Sequence, residues 1–143
     1  MPKKSGKHTF QGQVIVAGEA RGVALVSHEP LSFWGGYDQH TGEIIDRHHP
    51  LAGQIAAGRI LGIPFTRGSS TTTAVLLEAV RAGAAPAAIL TAEVDHFFAL
   101  ASIVADEMYS RPIPLVALHP KAFAALETGR QIEVYSDGLV ILL

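Results

Sequence analysis

The sequence predicts an α/β domain with a parallel sheet at its centre and antiparallel β-structure on its flanks. Three observations predict it. Residues 59–117 read strand–helix–strand–helix–strand, the pattern that builds parallel sheets with crossover helices. The C-terminal stretch reads as a hairpin turning at Asp137-Gly138. Of the 143 residues, 48% are apolar, which suffices for a buried core of that size.

The elements follow in order. Phe10 to Val16 alternates and is β-branched, so it reads as a strand. Ala17 to Gly22 reads as a turn, and Val23 to Val26 as a second strand pairing with the first in an antiparallel ribbon. Residues 28–53 are irregular. They carry Pro30, Gly35, Gly36, Gly42, Pro50 and Gly53, together with His28, His40, His48 and His49, and only Glu43-Ile44-Ile45 reads as a short strand. A long irregular stretch in a compact domain points to function or a partner surface.

Regularity returns with a strand over Arg59 to Pro64 and a loop over Thr66 to Ser70. Thr71 to Ala82 has Ala74, Leu77 and Val80 at helical spacing and stops at Gly83. Ala87 to Leu90 is a short buried strand. Val94 to Met108 reads as a helix with Phe97, Leu100, Val104 and Met108 on one face. Ile113 to Ala117 is a strand, Pro120 to Leu126 a short helix ended by Gly129, and 131–135 with 139–142 the terminal hairpin. A frayed basic tail over residues 1–9 and a single domain over 10–143 are expected.

Composition excludes several classes. The net charge is −2, and the one basic cluster is Lys3, Lys4 and Lys7, so no nucleic-acid footprint is present. There is no Cys, hence no disulfide, thiolate nucleophile or Cys-ligated metal in this chain. That composition fits a cytoplasmic location. No signal peptide is legible after the lysines, and no apolar run approaches a membrane span.

The chemistry-bearing segment is Arg67-Gly68-Ser69-Ser70-Thr71-Thr72-Thr73, after a strand and before a helix. Free N–H groups at a helix start attract anions, Gly68 admits close approach of a ligand, and Arg67 suits a carboxylate or phosphate. Ligands bind at carboxyl ends of parallel strands, where this loop falls. Plain helix capping by Ser69 or Ser70 explains one hydroxyl of the five. No Walker loop is present, and no Ser-His-Asp arrangement is legible. His48 and His49, adjacent on an extended segment, point to opposite sides, so no metal site is expected in this chain. Leu31 to Gly36 sets the single Trp, Trp34, beside two glycines, a feature of pocket linings and partner interfaces and equally of packed loops.

Taken together, several segments resemble the small subunit of the aconitase X family. They are Gly12-Gln13-Val14 with 17–22, Glu29 to Gly36, Asp46 to Gly53, Gly58 to Leu61, Arg67-Gly68-Ser69-Ser70 and Gly83 to Ile89. Their order and spacing carry the resemblance over residues 10–118.

The resemblance implies a swivelling β/β/α domain like that at the C-terminal end of aconitases. It implies half of an iron-dependent hydro-lyase whose larger subunit carries the iron or iron–sulfur centre on cysteines. Related enzymes act on cis-3-hydroxy-L-proline in bacteria and on mevalonate 5-phosphate in archaea. The family's proton-accepting serine maps to Ser69, with Ser70 the alternative one residue on, and Arg67, Gly68, Ser70 and Thr71 become substrate contacts. The substrate is then a small anionic hydroxy acid.

The chain departs from the family in Thr71-Thr72-Thr73, where other members carry more Gly and Ser; this puts substrate detail in doubt. Ile103 to Met108 looks like the bacterial branch, which favours the hydroxyproline substrate. Two readings compete. One is a phosphohistidine swivelling domain, for which Ser27-His28 lacks the preceding glycines. The other is an anion-binding module using the same Ser-Thr loop without chemistry.

Overall fold

A computed structural model describes residues 8–67 and 71–143. Its strands are β1 (His8–Gln11), β2 (Gln13–Val16), β3 (Ala20–Val26), β4 (Ile60–Gly62), β5 (Ala88–Thr91), β6 (Leu115–Ala117), β7 (Gln131–Val134) and β8 (Leu139–Leu142). Its helices are α1 (Thr71–Ala82), α2 (His96–Tyr109) and α3 (Pro120–Ala124). Residues 1–7 of the expected tail lie outside the described residues, while His8 and Thr9 already belong to β1.

The strands form one eight-stranded sheet in the order β1-β8-β7-β3-β4-β5-β6-β2. Its centre is parallel, as the alternation of strands and helices predicts: Ala24 pairs with Ile60, Ile60 with Ala88, and Ile89 with Leu115. The terminal hairpin forms as predicted, with Val134 opposite Val140. β3 is long enough to serve two partners. Ala20 to Val23 runs antiparallel to β7, and Ala24 to Val26 parallel to β4.

The expected ribbon between 10–16 and 23–26 does not form. The first stretch breaks at Gly12 into two strands with different partners, β1 on β8 and β2 on β6. These are the two ends of the sheet order, so one residue joins its edges and nearly closes it. Only glycine fits that junction: a Cβ on Gly12 would meet Val116 Cγ1 at 2.2 Å.

The central strands are buried on both faces, and alternate residues feed two cores. Leu25, Leu61, Ile89 and Leu115 face α1, α2 and the irregular segment. Ala24, Ile60, Ala88, Leu90 and Val116 face Phe123 and Leu126 beyond β6 and Ile132, Val134, Val140 and Leu142 of the hairpin.

Helix α2 turns inward a face other than the Phe97, Leu100, Val104 and Met108 stripe, while α1 buries Val80 of its stripe and packs Leu77 against the core. In α1 the buried residues are Thr72, Val75, Leu76, Ala79 and Val80, with Ala74 exposed. In α2 they are Phe98, Ala101, Ser102 and Ala105, while Leu100 and Met108 are exposed. Small residues line the α2 core face because α1 packs directly beside it. Ser102 meets the polar need of that face: its Oγ donates to Ile113 O at 2.6 Å and accepts from Ile113 N at 2.7 Å.

The irregular segment supplies core. Leu31, Phe33, Tyr37, Ile44, Leu51 and Ala56 are all buried in the cluster under α1 and α2. Phe33 stacks on Tyr37 at 5.0 Å and meets Phe98 edge-on at 5.4 Å. Tyr37 Oη donates to Ala84 O at 2.7 Å, and burial pushes the Tyr37 phenol well above its ordinary pKa.

Candidate active site

The parallel strands β3 to β6 all end at the same edge of the sheet, the edge where ligands bind in such folds. The segments leaving that edge carry Ser27-His28-Glu29, Phe65-Thr66-Arg67, Val94-Asp95-His96 and His119-Pro120-Lys121.

The Phe65 to Arg67 segment is fixed by its backbone from two sides. Thr66 bridges Leu31 in parallel, and Arg67 N donates to Leu31 O at 3.0 Å. On the other side stands Asp95, only 7% exposed. Its Oδ2 accepts from Thr66 N at 2.6 Å and Thr66 Oγ1 at 2.8 Å. Its Oδ1 accepts from Phe97 N at 3.0 Å and Phe98 N at 3.1 Å, capping α2. One carboxylate thus ties the start of α2 to the approach of the Gly-Ser-Ser loop. Four donors satisfy the hydrogen-bonding capacity of this buried carboxylate.

Sequence reasoning missed Asp95. The signal for half of its role was there, an Asp just before an apolar helical run. The Thr66 contact spans 29 positions and has no local signature.

The sequence-predicted site residues are placed as follows. Arg67 is exposed, and its guanidinium forms no ion pair among the described residues. Thr71 is the first residue of α1 and is partly buried. Gly68, Ser69 and Ser70 lie outside the described residues. Thr73 Oγ1, in the first turn of α1, is buried without a hydrogen-bond partner. A hollow of about 310 Å³ opens beside the loop, lined by Phe65, Thr66, Glu93, Val94, Asp95, His96 and Phe97.

The histidines stand apart from one another in role. His28 meets Phe123 edge-on at 5.7 Å. His119 Nδ1 accepts from Lys121 N at 3.1 Å and caps α3, so its neutral form carries the proton on Nε2. His49 Nδ1 accepts from Leu51 N at 3.1 Å inside the irregular segment. Among the described residues no group of three or more His, Cys, Asp or Glu side chains could hold a metal ion. No described helix is long and apolar enough to cross a membrane.

Residues 9–142 match the family described as the aconitase X swivel domain. The chain is similar to the cis-3-hydroxy-L-proline dehydratase of Pseudomonas aeruginosa, 49% identical over 92% of this chain and 24% of that protein. It is similar also to the phosphomevalonate dehydratase small subunit of Methanothermobacter thermautotrophicus, 37% identical over 87% of this chain and 92% of that one. The crystal structure of Thermococcus kodakaraensis aconitase X in its holo-form superposes with a TM-score of 0.85 at 34% identity, covering 95% of this chain and 98% of that chain. The chain thus spans about a quarter of one relative and nearly all of the other. From its sequence and its fold together, the chain belongs to the aconitase X swivel-domain family.

Proposed function

We infer that this chain is the small half of a hydro-lyase, supplying a serine base to an active site shared with a larger chain. The observation that carries this is the double anchoring of Thr66 and Arg67 at the carboxyl edge of the sheet, immediately before Gly68-Ser69-Ser70. A loop that only connects a strand to a helix has no need of a buried carboxylate to hold it. The 49% identity to a cis-3-hydroxy-L-proline dehydratase favours that substrate. The phosphomevalonate dehydratase small subunit, 37% identical over 87% of this chain, supports a second reading.

In the proposed reaction the C–H bond next to the substrate carboxylate breaks and its proton passes to Ser69 Oγ. The neighbouring C–O bond breaks, a double bond forms between the two carbons, and the hydroxyl leaves as hydroxide, which takes the proton back from Ser69 Oγ to give water and restore the ionised serine. Arg67 binds the substrate carboxylate as a fixed cation, with Gly68, Ser70 and Thr71 as further contacts. A serine oxygen serves as a base only where positive potential stabilises its ionised form, and Arg67 with the start of α1 supplies part of it. The described residues offer no group of three metal ligands and the chain has no Cys, which supports an iron centre held by the larger chain. On this reading the enzyme is cytoplasmic.

The test is turnover of the assembled pair with each hydroxy acid. Ser69→Ala should lower kcat by about 10²–10⁴-fold while pairing with the larger chain is retained. Full activity in that variant refutes the assignment, and the same loss in Ser70→Ala alone moves the base one residue on.

A further inference from the structure

Helix α2 is apolar on two faces, and the described residues cover only one. Outward, Leu100, Ile103 and Met108 are 49%, 53% and 60% exposed, and Val104 lies partly buried beside them. Near the helix start, Val94 at 39% and Phe65 at 38% are also exposed and line the hollow that contains Thr66. A helix apolar all round belongs in an interior, and a contiguous apolar patch on a surface marks an interaction site.

We propose that the outward face of α2 is the seat of the larger dehydratase chain, an inference that rests on the functional reading above. Proximity supports this occupant: Leu100 lies one helical turn from His96 and Phe97, which line the hollow beside Thr66. Charge supports it against a second copy. The helix contains no Lys or Arg, and its exposed side carries Asp106 and Glu107, with Glu93 exposed just before its start. A two-fold contact of this face with itself offers these acids no Lys or Arg from the facing helix, whereas a partner with a basic rim pairs them. Arg111, beyond the helix end, lines a different hollow with Val80 and Gly83. The relatives support it as well. In one, this domain is 24% of a longer protein, and in the other the matched protein is itself a small subunit, so both have a larger remainder to meet.

The experiment measures the affinity of this chain for the larger chain by calorimetry, with sedimentation of each chain alone. Ile103→Glu and Leu100→Glu should each weaken pairing roughly tenfold or more. Ile55→Glu, on the irregular segment and 43% exposed, should leave it unchanged. Ile103→Ala gives a milder loss in the same direction and keeps the test readable if a glutamate variant does not fold. At saturating larger chain, the Ile103 variants should regain wild-type KM.

Unchanged affinity in the Ile103 and Leu100 variants overturns the proposal, as does failure of the wild-type chains to pair. Self-association of this chain that Ile103→Glu abolishes also overturns it and gives the face to a second copy. A wild-type pair that forms but dehydrates neither substrate counts against the functional reading alone, because the affinities still report on the face.

Discussion

The irregular segment between β3 and β4 and the short loop from Ile63 to Arg67 both run outside regular strands, yet they are held in opposite ways. The first is held by apolar plugs. Phe33, Tyr37 and Ile44 reach under α1 and α2, and the backbone between them is satisfied by local turns, such as Asp38 Oδ1 accepting from His40 N at 2.8 Å. Those backbone N–H groups hold the Asp38 carboxyl below its ordinary range. The second is held by polar contacts alone at its far end, where Asp95 and Leu31 grip Thr66 and Arg67 while Phe65 and Arg67 stay exposed. The difference separates two tasks. Apolar burial fixes a segment by volume and tolerates little adjustment. Directed hydrogen bonds fix a few backbone atoms and leave neighbouring side chains open to a ligand.

That contrast is broken most severely by Phe33→Ala. Phe33 is fully buried between two rings, and its removal should cost about 3–5 kcal/mol in denaturant unfolding. A loss below about 1 kcal/mol would show the segment to be a loose cover rather than a plug.

Asp95→Asn probes the other side. Asparagine still caps α2, but its amide cannot accept from Thr66 N, so a buried donor loses its partner. Stability should fall by about 1–3 kcal/mol. On the proposed function, kcat of the assembled enzyme should fall and KM rise, because the loop that carries Arg67 and leads to Ser69 loses its anchor. A variant with wild-type kcat would reduce Asp95 to a helix cap.

Tyr37→Phe gives the smallest effect, about 1 kcal/mol at neutral pH, from loss of the bond to Ala84 O. It also carries a pH signature. The unfolded phenol ionises near pH 10, while the buried one keeps its proton to higher pH. Above about pH 10 the unfolded chain binds fewer protons, so this residue's contribution is full below that pH and falls as pH rises. Wild type should therefore lose stability in alkali faster than Tyr37→Phe, which urea melts across pH 8–11 would show.

Much of this was legible beforehand, for identifiable reasons. The parallel centre announced itself through short β-branched runs separated by helical spacing, and the final hairpin through Asp137-Gly138. The core face of α2 was not legible. In α2 the largest apolar residues, Leu100 and Met108, lie outside, and the core face is built from Phe98, Ala101, Ser102 and Ala105. Spacing marks an apolar stripe but cannot say which of two stripes meets the sheet. The partners of 10–16 were misread because one glycine redirects the chain between sheet edges.

Local sequence, then, determined where strands and helices form, where they turn, and that a hydroxyl-rich loop precedes α1, since these depend on neighbours within a few positions. Only the tertiary structure decided that Thr66 is clasped by Asp95, that Phe33 fills the space beneath Phe98, and that one apolar stripe of α2 is left uncovered. Contacts between residues far apart in the chain depend on volume and direction in three dimensions, and neither is written in residue spacing.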